Sequence, residues 1–498
     1  MTGSDKPIVW TISGADCSGG AGIAADIKTG HSLNVETCHL ITANTVQNSQ
    51  QLYSINPVNT SLLSEQVDAL KEDKKPAVIK IGLIATIDQV QWLITTLTAL
   101  KKENSGLIVV FDPVGSASVG GKLTTLQFAH FRDILPYIDI VTPNLDEAKM
   151  LTQSTVNDAN LLARRLCQYG ANTTIVKGGH SESDKVTDLA YDSLKDQVFR
   201  LSSPRVNTHF SHGGGCSFAM AIASYIAQGY LLRDAFTLTK TYIHQGLKAQ
   251  ENKLEQYGAF DQPKTNKLVS VAFPTVESVL NQQYHDLAPF PVIGSSQGEQ
   301  SLGLYPVVDS VEWLKKLLPL NLEIIQLRLK NLSDEELDAF IMQAVALSKH
   351  YKTRLFINDY WQLAIKHGAY GVHIGQEDLL EADLFAISQA GLRLGISTHG
   401  CYEFILAKNL KPSYLAIGAI FPTKTKNMTG QIQGINNLSH ILTIADNIPV
   451  VAIGGINQLN VEEVWKTGVD AVAVVTAITE ADDYQQAVTR LQSCLQPS

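Results

Sequence analysis

Residues 450-VVAIGG-455 and 471-AVAVV-475 are short apolar runs rich in β-branched side chains, and the C-terminal part of the chain contains eight runs of this kind. The other six are 305-YPVV, 324-IIQL, 354-RLFIN, 371-GVHI, 393-RLGIS and 414-YLAIGAI. Buried parallel strands have continuous apolar sequences, whereas half-exposed strands alternate between apolar and polar residues. The runs therefore predict eight buried parallel strands in this part of the chain.

Helical patterns lie in most of the gaps between these runs. The clearest is 333-SDEELDAFIMQAVALSKH, in which Ser333 and Glu336 have the spacing of a capping box. Eight strand–helix units within residues 303–498 predict a small (β/α)₈ barrel, or TIM barrel. An open, doubly wound sheet is the alternative for the same pattern.

The N-terminal part also alternates between apolar runs and helical patterns, and it predicts an open α/β sheet, whose ligands bind at the carboxyl ends of the strands. Its candidate strands are 8-IVWTIS, 38-CHLITANTV, 78-VIKIGLI, 107-LIVVFDPV, 139-DIVTPN and 173-TTIVKGG. The stretch 285-HDLAPFPVIGSSQGEQSLG is aperiodic and rich in Gly, Ser and Pro. We therefore expect a first domain over 1–284, a linker over 285–302 and a second domain over 303–498.

The composition of the 498 residues is that of a globular chain, with 45% apolar residues, 17% charged residues and a net charge of −9. An acidic chain does not suit nucleic acid or anionic membranes as partners. Its six cysteines form no CxxC pair, and the sequence shows neither a signal peptide nor an apolar run long enough to span a membrane. We expect a cytoplasmic homo-oligomer that acts on small molecules.

The glycines of 212-HGGGCSFAMAIASYIAQG precede an apolar helix, so Gly213, Gly214 and Gly215 allow a phosphate to approach the backbone at a helix N-terminus. Cys216 follows them. The helix dipole is expected to lower the pKa of its thiol, so that the thiolate can take a proton from a hydroxyl attacking a γ-phosphate. The alternative is a small residue packed at a tight turn.

Three further N-terminal segments carry polar residues suited to phosphates. The segment 13-SGADCSGGAGIAADIKT combines glycines with Asp16 and Asp26, although a loop and helix cap would have the same sequence. In 142-TPNLDEA, Asn144 and Glu147 follow a predicted strand and offer oxygen ligands to Mg²⁺. Lys177 of 177-KGGH follows another predicted strand, within reach of a phosphate.

Together with 45-TVQN, 80-KIGL and 111-FDPV, these motifs closely resemble the hydroxymethylpyrimidine/phosphomethylpyrimidine kinases of the ribokinase superfamily over about residues 7–265. The resemblance implies a ribokinase-like fold, ATP as phosphoryl donor and Mg²⁺. It also implies a pyrimidine pocket lined by Asp26, Thr45 and Gln47, a Mg-ATP site with Asn144, Glu147 and Lys177, an anion hole of Gly213, Gly214 and Gly215, and Cys216 as the catalytic residue. A pyridoxal-type kinase is the close alternative.

The chain departs from the kinase pattern at two places. Gly214 stands where the family usually has threonine, which removes a hydroxyl from the anion hole. The stretch 115-GSASVGG replaces a segment that usually carries lysine. Both departures are expected to weaken ATP binding or loosen a lid, and neither removes the residue assigned to proton transfer.

Polar residues follow the predicted barrel strands, where barrel enzymes carry their active sites. They are Gln326, Arg328 and Lys330 after strand 2, Asn358 and Asp359 after strand 3, Asp378 beyond strand 4, Ser397, Thr398 and His399 at strand 5, 421-FPTKTK after strand 6, Gly454 and Gly455 after strand 7, and Thr476 near strand 8. The paired aspartates suit Mg²⁺, and Arg328, Lys330 and Lys426 suit a diphosphate. The glycines with the end of strand 8 match the usual phosphate site of such barrels. A solvated rim with scattered charges is the alternative.

The motifs 326-QLRLK, 356-FINDYWQLA, 371-GVHIGQEDL, 395-GISTH, 418-GAIFPTKTK, 453-IGGI and 473-AVVTAI strongly resemble thiamin-phosphate synthase over roughly 303–490. That family joins hydroxymethylpyrimidine diphosphate to thiazole phosphate and releases diphosphate. The resemblance implies that diphosphate is bound by Gln326, Arg328, Lys330, Asn358 and Lys426, Mg²⁺ by Asp359 and Asp378, the pyrimidine by Ser397, and thiazole phosphate by Thr423, Thr425, Gly455 and Thr476. Arg328 and Lys426 are the expected catalytic groups because they stabilise the leaving diphosphate.

The two resemblances predict one chain that catalyses consecutive steps of thiamin biosynthesis. For the barrel, the near alternative is a thiazole tautomerase-like enzyme, which would not need Asp359, Asp378 and Lys426 together. One half acting as a non-catalytic ligand sensor is an alternative from a different class. Leu329 stands where the synthases commonly have an acidic residue, and strand alternation predicts that it packs away from Arg328.

Overall fold

The computed structural model describes residues 6–48, 51–115, 124, 126–179, 183–254, 257–263, 272–293, 302–423 and 432–495. The chain divides into two compact units, Met1–Glu277 and Ser278–Ser498. Among the described residues, no helix is both long enough and apolar enough to cross a membrane.

The first unit is built on a ten-stranded sheet in the order β10-β9-β8-β7-β6-β5-β4-β1-β2-β3. The strands are β1 (Ile8–Asp16), β2 (Glu36–Gln47), β3 (Leu52–Pro57), β4 (Val78–Ile81), β5 (Ile108–Phe111), β6 (Ile140–Val141), β7 (Thr173–Val176), β8 (Lys185–Asp192), β9 (Gln197–Pro204) and β10 (Thr275–Glu277). Strands β7, β6, β5, β4, β1 and β2 are parallel, and the strands at both edges are antiparallel. The predicted open α/β sheet is confirmed.

Helices connect the strands of the first unit. They are α1 (Gly22–Ser32), α2 (Thr60–Asp73), α3 (Ile87–Glu103), α4 (Phe128–Ile134), α5 (Leu145–Thr152), α6 (Ala159–Gln168), α7 (Gly214–Ala227) and α8 (Leu232–Lys248). Helix α7 is buried over Ser217–Tyr225, as its apolar sequence predicts. Because the central strands are parallel, their carboxyl ends lie along one edge of the sheet, where the loops of the predicted site begin.

The second unit contains a closed barrel of eight parallel strands in sequence order. They are β11 (Gly303–Val308), β12 (Ile324–Leu327), β13 (Arg354–Asn358), β14 (Gly371–Ile374), β15 (Arg393–Thr398), β16 (Tyr414–Ile417), β17 (Val450–Ile453) and β18 (Ala471–Val474). Each predicted run forms one strand, so the predicted TIM barrel is confirmed.

The helices of the second unit are α9 (Val279–Gln283), α10 (Val311–Leu317), α11 (Asp334–Ser348), α12 (Trp361–His367), α13 (Leu384–Gln389), α14 (Cys401–Lys408), α15 (Gly434–Leu442), α16 (Val461–Trp465), α17 (Thr476–Thr479) and α18 (Tyr484–Cys494). The capping box predicted for α11 is present. The Glu336 amide donates to Ser333 Oγ over 3.3 Å, and the Ser333 amide donates to the Glu336 carboxylate over 2.9 Å.

The compact units divide after Glu277, earlier than the predicted end of the first domain at 284. The following segment packs on the barrel instead of extending as a free linker. Tyr284 is 4% exposed and its hydroxyl donates to the Ala382 carbonyl, and the Phe290 amide donates to the Lys411 carbonyl. Apolar side chains within 284–293 gain burial by covering the barrel.

Candidate active sites

Gly213 begins the loop that precedes α7, and its backbone requires glycine. Its φ is +80°, and a Cβ there would lie 2.0 Å from the Gly20 carbonyl oxygen. A Cβ at Gly214 would meet nothing within 4 Å, whereas one at Gly215 would lie 3.5 Å from Lys177 Nζ. The glycine loop therefore lies beside the lysine that follows β7, as a phosphate site requires.

Lys177 forms an ion pair with Asp112, whose oxygen lies 2.9 Å from Lys177 Nζ. Asp112 is only 2% exposed and follows β5, two strands away in the sheet. Burial opposes the charge on Lys177, but Asp112 and Glu147 raise its pKa, so the ammonium group stays charged. The carboxyl ends of β5 and β7 thus place a fixed cation beside the glycine loop.

Asn144 and Glu147 form the capping box of α5. The Glu147 amide donates to Asn144 Oδ1 over 2.8 Å, and the Asn144 amide donates to Glu147 Oε2 over 2.7 Å. Burial raises the pKa of Glu147 to about 7, although Lys177 acts in the opposite direction. A buried carboxyl with this raised pKa would gain from a nearby divalent cation, which fits the predicted Mg²⁺ site chemically.

Asp26 was predicted to line the pyrimidine pocket, and the structure places it in a fully buried ion pair with Lys80. Lys80 Nζ lies 2.9 and 2.8 Å from the two Asp26 oxygens, and Thr11 Oγ1 donates to the same carboxylate over 2.5 Å. Burial acts against the charge on Lys80, but Asp26 outweighs it and raises the Lys80 pKa. In this structure Asp26 holds Lys80 and shows no exposed surface to a ligand.

Thr45 and Gln47, the other two predicted pocket residues, lie at the end of β2 against the segment that follows β1. Thr45 Oγ1 donates to the Ala15 carbonyl over 3.0 Å, and Cys17 Sγ donates to the Gln47 carbonyl over 3.1 Å. Both side chains are less than a tenth exposed. They therefore contribute to the wall of the loop that begins at Asp16.

The prediction of a lowered pKa for the Cys216 thiol is wrong. Its pKa is raised to about 11. Burial is the largest cause. The Lys80 charge lowers the pKa, but Asp26 and Asp112 raise it. The prediction considered the helix dipole alone, whereas desolvation of a thiolate beside two carboxylates outweighs that dipole. Cys216 is therefore a neutral thiol near neutral pH.

Asp16 and His212 form a contact that the sequence did not predict. His212 Nε2 lies 2.9 Å from Asp16 Oδ2, and the same carboxylate accepts hydrogen bonds from the amides of Gly20 and Ala21 over 3.2 and 2.9 Å. Burial opposes ionisation of Asp16, but hydrogen bonds from His212, Gln47 and Ser18 lower its pKa. This contact fixes the loop after β1 to the residue that precedes the glycine loop.

Lys80, Asp112 and His212 are the N-terminal residues at the site that were given no role from the sequence. Each lies in a quoted motif, namely 80-KIGL, 111-FDPV or 212-HGGGC. The buried ion pair of Lys80 could have been predicted from the sequence, because a lysine inside the apolar run 78-VIKIGLI needs a buried partner. The pairing of Asp112 with Lys177 depends on strand order, which the sequence did not supply.

In the barrel, Asp359 and Asp378 meet after β13 and β14. Burial and the charge of Asp378 together raise the pKa of Asp359 to about 6, although Arg328 acts in the opposite direction. The Asn358 amide donates to Asp359 Oδ2 over 2.5 Å, and the Asp359 backbone has a φ of +64°. A carboxyl whose ionisation is opposed by a neighbouring carboxylate fits a hard divalent cation.

The residues at and after the end of β12 differ in burial. Gln326 and Leu329 are 5% and 4% exposed, Arg328 is half-buried and Lys330 is exposed. Leu329 therefore packs into the unit, which fits its replacement of the usual acidic residue. The described part of the chain contains no group of three or more His, Cys, Asp or Glu side chains able to hold a metal ion. A cation between Asp359 and Asp378 would thus need ligands of another kind.

Ser397 belongs to a row of hydrogen bonds across the barrel interior. Gln326 Nε2 donates to Tyr305 Oη over 3.2 Å, and Tyr305 Oη lies 2.7 Å from Tyr414 Oη. His373 Nδ1 lies 2.7 Å from Tyr414 Oη, and His373 Nε2 lies 2.7 Å from Ser397 Oγ. The row joins two predicted ligand residues, Gln326 and Ser397, through three residues that were given no role.

The loops after β16 and β17 are joined at Gly454 and Gly455, whose φ values are +103° and +68°. The Phe421 amide donates to the Gly454 carbonyl over 3.0 Å, and a Cβ at Gly455 would lie 2.6 Å from the Pro422 carbonyl oxygen. Thr423 is half-buried on the first of these loops, and Thr476 is exposed at the start of α17. These partly buried backbone turns suit a phosphate.

Some predicted features lie outside the described residues. Among them are Thr425 and Lys426, within 424–431, and most of 115-GSASVGG, within 116–123. Their assigned roles stay predictions.

Comparison with known proteins gives a different match for each part of the chain. The family model described as phosphomethylpyrimidine kinase matches residues 16–261, and the model described as thiamine monophosphate synthase matches residues 304–478. The thiamine-phosphate synthase of Yersinia pestis (strain Pestoides F) is 56% identical over 198 residues, which are 40% of this chain and 92% of that protein.

Two solved kinase structures also match the chain. The pyridoxal kinase of Bacillus subtilis is 26% identical, with a TM-score of 0.45, and covers 52% of this chain and 97% of its own. The phosphomethylpyrimidine kinase of Clostridium difficile 630 is 27% identical, with a TM-score of 0.42, and covers 49% of this chain and 100% of its own. At these TM-scores neither structure decides between the two kinds of kinase.

The raised pKa of Cys216 predicts slow alkylation. At neutral pH, iodoacetamide should modify Cys216 more slowly than the exposed Cys17, and the rate at Cys216 should keep rising as the pH approaches about 11. Mass spectrometry of the two cysteine peptides over a pH series measures both rates in the same sample. Faster modification of Cys216 than of Cys17 at neutral pH would show that its thiolate is stabilised, contrary to this expectation.

The raised pKa of Asp359 predicts a stabilising substitution. The folded state binds the Asp359 proton more tightly than the unfolded chain, so its ionisation destabilises the fold as the pH rises through about 6. Asp359→Asn should raise the free energy of unfolding by about 2 kcal/mol at pH 7 to 8, and the gain should vanish near pH 4. Denaturant unfolding over this pH range measures the difference.

Asp338→Asn is the matched control on α11. Its partners Lys366 and His367 lower the pKa of Asp338, so its replacement should weaken the fold at neutral pH, with the opposite sign. A destabilised Asp359→Asn variant at neutral pH would contradict the assigned electrostatic conflict.

Proposed function

The chain belongs to the thiamine-phosphate synthase family and carries a phosphomethylpyrimidine kinase domain before the synthase domain, and we propose that each domain catalyses one of two consecutive reactions. It is an enzyme of thiamin biosynthesis with both activities, and its kinase family uses ATP. We propose that the first unit phosphorylates 4-amino-5-hydroxymethyl-2-methylpyrimidine and its monophosphate. The second unit then joins the resulting diphosphate to 4-methyl-5-(2-phosphoethyl)thiazole.

In the kinase unit, the paired cation beside the glycine loop carries the proposal. Lys177, fixed by Asp112 at 2.9 Å, balances the negative charge of the transferred phosphoryl group. The amides of the glycine loop, Gly213 to Gly215, are proposed to donate hydrogen bonds to its oxygens, for which the Gly214 amide would exchange its present bond to the Ser211 carbonyl. The substrate oxygen forms the new P–O bond while ADP leaves. Cys216 is proposed to take the hydroxyl proton, which requires prior loss of its own proton. Lys80 favours that loss and burial opposes it.

In the synthase unit, the facing aspartates carry the proposal. Bound Mg²⁺, held by Asp359 and Asp378, would neutralise part of the diphosphate charge. Arg328, Lys330, Asn358 and Lys426 are proposed to hold the diphosphate as the C–O bond breaks and its electrons leave with the oxygen. The thiazole nitrogen then forms the C–N bond. Thr423, Thr425, Gly455 and Thr476 are proposed to hold the thiazole phosphate, so that catalysis rests on orientation and stabilisation of the leaving charge.

Glu147, with the capping oxygen Asn144, is proposed to lie near the Mg²⁺ that accompanies ATP, since its buried carboxyl lacks sufficient positive charge. Thr45 and Gln47 are proposed to border the pyrimidine of the kinase substrate, and Asp26 is proposed to act there through Lys80. A cytoplasmic location and a homo-oligomeric state stay predictions.

The two activities are expected to separate by substitution. Cys216→Ala should abolish phosphorylation but leave condensation of supplied pyrimidine diphosphate unchanged. Asp359→Asn should have the reverse effect, since it removes one of two carboxylates at the proposed Mg²⁺ site. The assay supplies ATP, Mg²⁺ and both heterocycles, and measures ADP and thiamin phosphate separately. Loss of both activities in both folded variants would contradict the assignment of one reaction to each unit.

The same assay with pyridoxal in place of the pyrimidine tests the alternative kinase substrate.

Gly214→Thr is expected to increase kinase activity. A Cβ at this position meets nothing within 4 Å, and a hydroxyl there would face a charged phosphate. A hydrogen bond to a charged group contributes about 1.5 kcal/mol, or roughly ten-fold in kcat/KM for ATP. Gly214→Val is the control, because it has nearly the same shape without the hydroxyl. Equal kinetics for the two variants would show that the missing hydroxyl does not limit ATP use.

A further inference from the structure

In the row of hydrogen bonds from Gln326 to Ser397, each buried hydroxyl finds an acceptor when all the bonds run in the same direction. We propose that this direction makes the Ser397 hydroxyl a hydrogen-bond donor toward the barrel mouth, with His373 as the positioning residue that enforces it. The proposal rests on the proposed function only for the identity of the ligand, an aminopyrimidine whose ring nitrogens accept hydrogen bonds. The direction itself follows from the protein alone.

The first link sets the direction. Gln326 presents its amide nitrogen to Tyr305, 3.2 Å away, and an amide nitrogen only donates. Tyr305 therefore accepts there. Geometry alone allows either tyrosine to donate to the other at 2.7 Å, but a buried Tyr305 proton is satisfied only if it goes to Tyr414 Oη. Tyr414 has accepted one proton and has one to donate, and His373 Nδ1 lies 2.7 Å from it. His373 Nδ1 is thus an unprotonated acceptor.

The second half of the row follows from the histidine tautomer. A neutral imidazole with an unprotonated Nδ1 carries its proton on Nε2. His373 Nε2 therefore donates to Ser397 Oγ across 2.7 Å, which leaves the Ser397 proton available for another acceptor. Ser397 is the last member of the row and is partly exposed at the carboxyl end of β15. The ligand atom that it meets must accept a hydrogen bond.

The surroundings keep both tyrosines protonated and in place. Tyr305 and Tyr414 are 1% and 0% exposed, and burial raises the pKa of both hydroxyls, so each retains its proton. The rings of His373 and Tyr414 stack with centroids 5.5 Å apart. A Cβ at Gly395 would lie 2.2 Å from the Tyr414 ring, so glycine provides the space that this ring fills. A low-dielectric interior strengthens such a satisfied row.

The direction has a consequence for specificity. A serine hydroxyl whose oxygen already accepts from His373 discriminates in favour of a ring nitrogen and against a C–H or N–H at the same place. Unpaired buried polar groups are costly, so such a donor rejects a ligand that offers no acceptor. His373 is not proposed to contact the ligand. It acts through Ser397 by holding the hydroxyl oxygen.

The wild-type tautomer is a direct test. In full-length protein labelled with ¹⁵N-histidine, long-range ¹H–¹⁵N spectra should show His373 protonated at Nε2 and unprotonated at Nδ1. Comparison with His373→Gln identifies its signals among the 13 histidines. Protonation at Nδ1, or at both nitrogens, would overturn the proposal. This measurement needs no activity, so its failure is distinct from a failure of the proposed reaction.

Substitution tests the origin of the direction. Tyr414→Phe removes the donor to Nδ1 and should produce a mixture of His373 tautomers, whereas an unchanged spectrum would contradict the proposal. Tyr284→Phe is the matched control, because it also removes a buried hydroxyl that donates over 3.0 Å, outside the row. It should leave the His373 spectrum unchanged. The wild-type spectrum decides the direction even if Tyr414→Phe does not fold.

Kinetics test the donor role in the condensation reaction. Ser397→Ala should lower kcat/KM for the pyrimidine diphosphate about ten-fold, the effect of one hydrogen bond. Two analogues, each with a different ring nitrogen replaced by C–H, are compared in wild type and variant. For one analogue the wild type and Ser397→Ala should become equal. If Ser397→Ala lowers kcat/KM equally for the pyrimidine and both analogues, Ser397 does not donate to the ring.

Discussion

Parallel strand pairing is the constraint on which both units depend. It requires helical crossovers, it buries the strands, and it collects their carboxyl ends at one edge of a sheet or one mouth of a barrel. Asp112 and Lys177 are 65 residues apart in the sequence and form an ion pair because β5 and β7 end together. Asp359 and Asp378 meet for the same reason after β13 and β14. The active-site residues are therefore neighbours through topology and not through sequence spacing.

This gathering of strand ends forces charges into places with little water, and the two units resolve the conflict differently. Asp26 and Lys80 are both fully buried, yet each provides the other with a counter-charge and the pair is satisfied. Asp359 has a carboxylate as its neighbour, and its pKa stays raised although Arg328 and the Gly375 amide lower it. The Asp26–Lys80 ion pair therefore stabilises the fold. A cation bound between Asp359 and Asp378 would relieve the repulsion between the two carboxylates.

The barrel was predictable from the sequence because each of its eight strands is buried and continuous in apolar character. In the first unit, β3, β8, β9 and β10 were not predicted. They lie at the antiparallel edges, where exposed faces leave mixed sequences such as 52-LYSINP. The six parallel strands beside them were predicted, since strands buried on both faces have continuous apolar sequences.

Single residues were harder to predict than strands, for electrostatic reasons. The position of Cys216 at the start of a helix suggested a thiolate, but its pKa depends on Asp26, Asp112 and burial, which come from distant segments. Tyr305 and Tyr414 were taken as apolar strand residues, although their hydroxyls connect Gln326 with His373. A tyrosine in a strand gives no sign of whether its hydroxyl reaches water or a buried partner.

The proposed reactions explain why the two interiors differ in kind. Phosphorylation of a hydroxyl requires a proton to leave, and the kinase unit accordingly places a buried thiol beside Lys80, Asp26 and Asp112, whose charges act on its pKa in opposite directions. Departure of diphosphate from a pyrimidine requires no such proton, because the charge leaves with the diphosphate. The synthase barrel can therefore hold a neutral row of hydrogen bonds beneath the ligand and confine its charges to the rim. Burying a charge within that row would be costly, and uncharged side chains avoid that cost.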